Sequence, residues 1–264
     1  MRLDNVQRRS SREASDRELF DSISDHYEKK DSIESCRIAR RHRVCSSLAP
    51  FLTQARPSVL EVGCGAGYSA EYLEGSFASY YGIDYSQQLI HLARQRHGDR
   101  KADFAVANAK DFQTENQFDL VFMIGVLHHI DDMSQAMDSI VRAIKPGGWL
   151  IANEPQPANP LIQVMRKTRQ LIDRSYSSDQ IQLSSRKIET IFRNASLADI
   201  VVRPQGFFST PFAEVPMPLQ RVSSMFARVA CRWDRSIEHR FPRLGLVASW
   251  NIAAAGRKPA AASG

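Results

Sequence analysis

The chain has 264 residues, of which 43% are hydrophobic, and it carries a formal net charge of +6. This length suits one α/β domain with additions and is short for two independent domains. The first residues lack the apolar segment of a secretory signal, and the longest apolar stretch, Leu120 to Leu127, is too short to span a bilayer.

The cysteines and the charge limit the classes of function without deciding between them. The four cysteines are too widely spaced for a zinc knuckle or a redox pair, and reduced thiols are typical of the cytoplasm. They are Cys36, Cys45, Cys64 and Cys231. A basic charge is compatible with nucleic acid, an anionic membrane surface, an acidic substrate or solubility alone. We expect a cytoplasmic protein without a metal site, with peripheral contact at the membrane left open.

The chain up to Glu154 changes from helical periodicity to alternating strands and helices. Residues 1–15 predict a disordered basic tail, and residues 16–56 predict N-terminal helices. Short apolar runs then alternate with helices, which is typical of a parallel sheet covered on both faces. The strands are expected at Ser58 to Val62, Ser79 to Ile83, Phe104 to Ala107, Phe118 to Ile124 and Trp149 to Asn153.

After Glu154 the alternation stops, and residues 155–243 predict substrate-side elements and a cap. A basic amphipathic segment to about Arg174 comes first, and a helix capped by Ser184 or Ser185 follows it. A strand is expected from Asp199 to Arg203, and a proline-rich loop then leads into a long helix. The last strand is expected from Val247 to Ala255, within residues 244–258.

Three glycines, Gly63, Gly65 and Gly67, follow the first strand and open a helix. Without a Cβ they permit a tight turn and the close approach of a ligand, and the exposed N–H groups favour an anionic group. The spacing is G-x-G-x-G, with Tyr68 where the dinucleotide fingerprint has its third glycine, and this disfavours an NAD-dependent oxidoreductase. Asp84 ends the second strand, where a carboxylate can accept both hydroxyls of a ribose. A turn or helix-capping role is the alternative for Asp84.

Five motif-like segments follow one another between Ser58 and Glu154. They are Glu61 to Gly67, Tyr81 to Ser86, Asn108 to Phe112, Phe118 to Ile130 and Lys145 to Leu150. Their order and spacing resemble the motifs of class I S-adenosylmethionine (SAM)-dependent methyltransferases, in the type 11/25-like subgroup that acts on quinone precursors, lipids and natural products. The resemblance implies a single α/β domain over residues 16–264, with a SAM-binding core at 57–154. Its fold would be a Rossmann-like, seven-stranded, mostly parallel sheet with helices on both faces, N-terminal helices and a C-terminal helical cap.

The resemblance also implies roles for individual residues around SAM. Glu61, Gly63 and Gly65 would contact its methionine end, Asp84 would hold the ribose, and Tyr85 would cover one face of the adenine. Asn108 stands where the family usually has Asp, and its amide oxygen would still accept a hydrogen bond from the adenine amino group. Ala109 would supply a backbone N–H. The expected cofactor site is completed by Cys64, Gly67 and Ile124.

Candidate catalytic residues follow from what methyl transfer needs. The cofactor is already activated, so the protein mainly supplies orientation, with a base where a hydroxyl or an acidic carbon must lose a proton. His128 and His129 follow the fourth strand and are candidates for that base; shaping the turn is the competing interpretation. Tyr27, in the N-terminal segment, would contact the sulfonium or the substrate, or would pack as an ordinary helix aromatic.

The long helix that is predicted from Leu219 to Phe241 is expected to lie on the acceptor side of the protein. Its apolar residues recur at steps of three and four, so a solvated helix packed on the domain is the plain interpretation. Its position after a proline-rich insertion favours a substrate cap. Met225, Phe226, Val229 and Trp233 would then form an apolar wall. The arginines on another part of this helix would suit anionic lipid headgroups; they are Arg221, Arg228, Arg232 and Arg235.

The sequence is therefore compatible with three functions. The first is methyl transfer to oxygen or carbon of a hydrophobic small molecule, lipid precursor or natural product. The second is a nucleic-acid methyltransferase, which is disfavoured because the Asn/Asp-Pro-Pro-aromatic motif is missing after the fourth strand, where Ile124 to Leu127 stand. The third is a non-catalytic SAM-binding module, since a fold does not by itself imply an activity.

Overall fold

The computed structural model describes residues 21, 32–52, 56–98, 101–160, 162–163 and 183–260. The basic tail at residues 1–15, Tyr27 and most of the basic segment that reaches Arg174 lie outside the described residues, and expectations for them remain predictions.

One seven-stranded sheet organises the described chain, in the order β3-β2-β1-β4-β5-β7-β6. The strands are β1 Ser58–Val62, β2 Ser79–Asp84, β3 Ala102–Val106, β4 Phe118–Ile124, β5 Ile144–Pro155, β6 Ala198–Gln205 and β7 Asn251–Arg257. Strands β1 to β5 pair in parallel, whereas β7 is antiparallel to both β5 and β6. The predicted Rossmann-like, mostly parallel sheet is confirmed.

Helices connect and cover the strands. Along the described chain they are α1 Glu34–Leu48, α2 Tyr68–Tyr72, α3 Gln87–His97, α4 Met133–Ala143, α5 Ser185–Asn194, α6 Thr210–Glu214, α7 Gln220–Arg240 and α8 Pro242–Ala248. The starts of three helices are fixed by side-chain caps, and the cap at Ser184 is one that the sequence predicts. Ser86, Asp132 and Ser184 each accept a hydrogen bond from a backbone N–H in the first turn of α3, α4 and α5.

The core consists of two apolar clusters, one on each face of the sheet. Because side chains alternate along a strand, Leu60 of β1 joins one cluster and its neighbour Val59 joins the other. Helices α4 and α5 cover the first cluster, and α1 and α3 cover the second. Each fully buried Leu, Ile or Phe contributes about 1.5–3 kcal/mol of transfer free energy, so this packing holds the strand ends in place.

Several strand bounds differ from the expectation, most of all that of β5, which begins at Ile144 rather than at Trp149. Two further segments differ in the type of element that they form. The last strand begins at Asn251, and Pro242–Ala248, which overlaps the start of the expected strand, is the helix α8. The expected loop from Thr210 to Pro218 begins with the short helix α6. In both cases proline lies in the first turn of the helix, where its missing N–H costs nothing and its fixed φ suits the helix, so proline starts a helix there rather than preventing one.

Among the helices that the described residues form, none has the length and the apolar character needed to cross a membrane.

Candidate functional site

The glycine loop lies at the carboxyl end of β1, where the sequence predicts it. Gly63, Gly65 and Gly67 all have positive φ, at 73°, 52° and 79°, a region that side chains rarely adopt. A Cβ added at Gly65 would meet nothing within 4 Å, so the outer surface of the loop is open. A Cβ at Gly63 would instead lie 2.4 Å from Cγ2 of Val126, which packs directly against the loop.

Asp84 ties the end of β2 to this loop. One carboxylate oxygen accepts a hydrogen bond from the N–H of Gly65 at 2.9 Å, and the other accepts from the N–H of Ser86 at 2.9 Å. Burial raises the pKa of Asp84, and the two N–H donors oppose that shift. Each carboxylate oxygen has a further lone pair, so the group can still accept the hydroxyls of a ribose.

Part of the N-terminal segment reaches the same corner. The hydroxyl of Ser86 donates a hydrogen bond to Oδ1 of Asp21 at 2.5 Å, and Ser86 also caps α3. The segment that the resemblance places over the cofactor therefore contacts the second motif at one described position.

Glu61 lies beneath the loop, in the core. Its carboxylate accepts hydrogen bonds from the hydroxyls of Ser69 and Tyr80, and only 3% of the residue is exposed. Burial raises the pKa of Glu61 to about 8, against these two donors. In this geometry Glu61 supports the loop by joining β1, α2 and β2. Contact between Glu61 and the methionine end of a cofactor remains a prediction.

The remaining expected cofactor residues line the same edge of the sheet. Ile124 ends β4, and Tyr85 follows β2; both are half-buried. Asn108 follows β3, and its Oδ1 accepts the N–H of Lys110 at 3.0 Å, a local turn that orients the amide. Ala109 is half-buried against the first core cluster. Cys64 is buried within the loop, and burial raises the pKa of its thiol.

His128 belongs to a buried pair with Glu154 that the sequence does not reveal. The Nδ1 of His128 lies 2.6 Å from Oε2 of Glu154, which is near the end of β5 and is fully buried. The other carboxylate oxygen, Oε1, accepts the N–H groups of Val126 and Leu127, each at 2.9 Å. The carboxylate thus holds both the turn after β4 and the imidazole that the turn carries.

The contact with His128 and the two N–H donors keep Glu154 acidic despite its burial. Burial would raise the pKa of Glu154, but the charge and hydrogen bond of His128 and the two N–H donors outweigh it, and the pKa lies below its usual value. Nδ1 of His128 faces the carboxylate of Glu154, so Nε2 is the ring nitrogen that Glu154 does not engage. The ring of His129 lies beside that of His128, with centroids 4.1 Å apart, so both candidate bases occupy the turn after β4.

A second residue that sequence reasoning missed is Arg43 of α1. Its Nε donates a hydrogen bond to Oδ1 of Asn153 near the end of β5, at 2.8 Å. A Cβ at Gly125 would lie 3.6 Å from Nη2 of Arg43 and 3.8 Å from Cε1 of His128, so the guanidinium and the imidazole flank the same glycine. The only signal for this contact in the sequence is the polar Asn153 close to a strand end.

Comparison with known proteins identifies the core. Residues 60–152 match the family described as "Methyltransferase domain", and this range contains the glycine loop, Asp84 and His128. Over this range the chain is similar to class I SAM-dependent methyltransferases.

Curated relatives align with part of the chain. It is 33% identical over 100 residues to a ubiquinone biosynthesis O-methyltransferase of Thiobacillus denitrificans, covering 36% of this chain and 43% of the relative. It is also 33% identical over 108 residues to a phthiotriol/phenolphthiotriol dimycocerosates methyltransferase of Mycobacterium ulcerans, covering 40% of each. The chain thus spans less than half the length of these two relatives.

Solved structures match over a larger range. A SAM-dependent methyltransferase from Thermotoga maritima, described as a possible histamine N-methyltransferase, superposes with a TM-score of 0.66 at 18% identity and covers 91% of this chain and 98% of its own. A phosphoethanolamine N-methyltransferase 2 from Haemonchus contortus, in complex with S-adenosyl-L-methionine, gives a TM-score of 0.55 at 22% identity, covering 82% and 52%. At these identities the similarity supports the fold alone.

The geometry of the methyltransferase domain fits SAM. The loop surface at Gly65 is open to a ligand, and the carboxylate of Asp84 sits against that loop at the end of the neighbouring strand. The backbone N–H groups at the start of α2 favour the carboxylate of a bound amino acid moiety. The fold and the family therefore support S-adenosyl-L-methionine as the cofactor.

The large apolar residues of helix α7 point away from the protein, whereas a closed apolar wall would need them to point inward. The helix turns small and polar residues toward the protein, and these are buried: Ser223, Ser224, Ala227, Ala230, Cys231 and Asp234. The expected wall residues lie on its outer side and are 38–59% exposed: Met225, Phe226, Val229 and Trp233. Contact of these four with an acceptor remains a prediction, but within the described residues they form an open face.

Proposed function

We propose that the protein transfers a methyl group from SAM to oxygen or carbon of a hydrophobic small molecule, lipid precursor or natural product. One observation carries this proposal. Val126, which packs on Gly63 of the cofactor loop, lies two residues before His128. A cofactor bound on the loop and a base on the turn would therefore be neighbours.

The residues of the chain have separate tasks in this reaction. SAM supplies a methyl group that is already activated for in-line displacement. The glycine loop and Asp84 hold and orient the cofactor, and orientation alone can lower the barrier by on the order of 7–11 kcal/mol. His128, oriented by Glu154, takes the proton from a hydroxyl or an acidic carbon of the acceptor at its Nε2. Glu154 stabilises the imidazolium that results.

The class of acceptor rests on two kinds of support. The curated relatives are named for ubiquinone biosynthesis and for phthiotriol dimycocerosates, both hydrophobic products. The outer face of α7 offers large apolar side chains on the part of the chain that follows the cofactor motifs. A nucleic-acid acceptor has neither kind of support, although the basic charge is compatible with it.

Transfer of a radiolabelled methyl group tests the proposal directly. Purified protein is incubated with methyl-labelled SAM and either a solvent extract of cell lipids and metabolites or total RNA. We expect label in the organic phase, dependent on protein and lost with Asp84→Ala. Label in the RNA would show that the acceptor is a nucleic acid and would contradict the proposed acceptor class. Tight SAM binding by calorimetry without transfer to either fraction would favour the non-catalytic module.

We also propose that the outer face of α7 contacts a membrane from which a lipid-like acceptor is taken. The apolar residues Phe226 and Trp233 are 54% and 59% exposed. The four arginines of the helix, Arg221, Arg228, Arg232 and Arg235, are exposed as well. Apolar side chains with neighbouring cations favour the interface of an anionic bilayer.

Flotation with vesicles tests this addition. The wild-type protein is expected to float with vesicles that contain phosphatidylglycerol and to remain below with neutral vesicles. Replacing the four arginines with glutamine should abolish flotation while SAM binding is retained. If the wild-type protein does not float, the membrane contact is wrong and the methyl transfer proposal is unaffected.

A further inference from the structure

Three potential metal ligands converge where α1 packs against α7. His42 lies on α1, and Asp234 and Glu238 lie one turn apart on α7, so their side chains share one face of that helix. The ligand atoms of the three residues all lie within 4.8 Å of one another. None of them belongs to the cofactor loop or to the His128–Glu154 pair.

The environment of these groups is largely closed to water. Asp234 is fully buried, and His42 and Glu238 are partly buried. The Nε2 atom of His42 is itself buried and has no hydrogen-bond partner among the described residues. A buried ring nitrogen without a partner costs free energy, so its position next to two carboxylates favours a bridging group.

The hydrogen-bond donors to the two carboxylates are neutral backbone groups. Asp234 accepts the N–H groups of Phe208 and Ser209 at 2.9 Å each, and Glu238 accepts the N–H of Gly206 at 2.8 Å. These bonds fix the direction of both carboxylates. Among the described residues, Arg235 of α7 is a cation whose charge acts on His42 and Glu238, and Arg235 is exposed.

We propose that His42, Asp234 and Glu238 bind a divalent cation, Zn²⁺ by preference, which joins α1 to α7. One imidazole nitrogen and two carboxylates are a common donor set for zinc, at bond lengths of roughly 2.0–2.2 Å. Two ligands on one tetrahedral zinc ion lie roughly 3.3 Å apart, and the ligand atoms of the three residues already lie within 4.8 Å of one another, so small side-chain movements would complete the shell. Mg²⁺ and Ca²⁺ prefer a shell of oxygens, which disfavours them at a site with an imidazole.

A bound ion would fix the position of α7 relative to α1 on the proposed acceptor side of the protein. The carboxylates that would bind the ion also hold the backbone of residues 206–209, and the helix that carries His42 also carries Arg43, which is bonded to Asn153 of β5. An ion at this position would link α1, α7 and this loop. It would have no part in the chemistry of methyl transfer, so the proposal departs from the expectation of no metal without changing the proposed reaction.

Zinc binding by the full chain tests the proposal. Protein purified without a histidine tag is stripped with a chelator and titrated with Zn²⁺ in competition with a chromogenic indicator. We expect one zinc per chain and a melting temperature that rises with zinc. Glu238→Gln and Asp234→Asn should each weaken binding at least 100-fold. Glu189→Gln and His91→Ala, at solvent-accessible positions of α5 and α3, should bind zinc as the wild type does.

Two further measurements distinguish zinc bound at His42, Asp234 and Glu238 from zinc bound elsewhere on the chain. Co²⁺ in place of zinc should give visible absorption bands that are lost with Glu238→Gln, and circular dichroism establishes that each variant is folded. Zinc that binds equally to the wild type and to folded Glu238→Gln, for example through cysteines, would overturn the proposal. Failure of the wild type to bind zinc under these conditions would also overturn it.

Discussion

The cofactor side of this protein and the side formed by α1 and α7, which is the proposed acceptor side, are stabilised in different ways. On the cofactor side, parallel strands covered by apolar helix faces bring backbone groups and short loops to one edge of the sheet. On the acceptor side, α7 packs on α1 through small side chains and buries charged groups such as Asp234. Its large apolar residues face outward instead.

Under the proposed function, this difference separates the residues that orient the cofactor from those that would contact the acceptor. The loop, Asp84 and the His128–Glu154 pair are held by several hydrogen bonds, as a site that must orient one cofactor requires. An open apolar face can adapt to acceptors of different shape. Substitutions on the cofactor side should therefore affect binding and turnover, and those on the outer face of α7 should affect acceptor affinity with little loss of stability.

The largest effect is expected from His128. If it is the base, His128→Ala should lower turnover about 10²–10⁴-fold because no side chain then removes the proton of the acceptor. The dissociation constant for SAM should stay near the wild-type value. Initial rates with the acceptor identified by label transfer, together with calorimetry, measure both quantities. His129→Ala is the matched control; wild-type turnover in both variants would leave positioning as the whole contribution of the protein.

Glu61 should make the stability of the cofactor side depend on pH. Its pKa is about 8 in the folded protein, against an ordinary value of 4.5, so the folded state binds a proton that the unfolded state has released between these values. The free energy of unfolding should therefore fall as pH rises from about 4.5 to 8, by an amount on the order of a few kcal/mol.

Urea unfolding at several pH values measures this slope. The Gln side chain keeps the shape of the glutamic acid and does not titrate, so Glu61→Gln should flatten the slope and raise stability at pH 8 relative to the wild type. A wild-type slope that persists unchanged in the variant would assign the pH dependence to another group.

Asp84→Ala should weaken SAM binding at least tenfold, which corresponds to about 1.4 kcal/mol. The substitution removes the ribose acceptor and also frees the N–H of Gly65, so the loop loses part of its order. Titration calorimetry gives the dissociation constant. Asp84→Asn, which retains one oxygen acceptor, should show a smaller loss. An unchanged constant in folded Asp84→Ala would mean that Asp84 only shapes the turn.

The smallest effect on stability is expected on the outer face of α7. Phe226→Ala and Trp233→Ala remove exposed side chains, so each should change the free energy of unfolding by no more than about 0.5 kcal/mol. The Michaelis constant for the acceptor should rise severalfold while SAM binding is retained. Phe192→Ala, in the core, is the contrasting control and should cost about 3–5 kcal/mol. A large loss of stability with unchanged acceptor kinetics would make α7 a purely structural helix.

The sequence predicts the cofactor side well because its signals are local. Strands β1 and β4 have the predicted bounds, since each is a short apolar run that ends at a glycine. The three glycines of the loop adopt the positive φ values for which glycine is needed. The helix starts at Ser86, Asp132 and Ser184 follow from capping residues.

The acceptor side is less predictable because its signals depend on tertiary contacts. Val247 and Ala248, at the start of the expected last strand, suit a helix or a strand equally, and only their packing decides. The periodicity of α7 predicts an apolar face but not the side on which the domain lies, and small residues such as Ala227 and Cys231 permit the close approach of α1. Glu154 and Arg43 gain their roles from residues that are distant in sequence, so no local pattern could have paired them with His128 or Asn153.

The position of β7 has a consequence for how the protein is made. Because this strand lies between β5 and β6, neither of them can complete its pairing in the sheet until residues 251–257 have been synthesised. While the chain is being synthesised, β5 presents an unpaired edge, and β6 has no neighbouring strand to pair with. Exposed strand edges recruit other chains, so a growing polypeptide would be prone to aggregation during this interval. Production at low temperature, or with a chaperone that shields strand edges, should therefore raise the yield of folded protein.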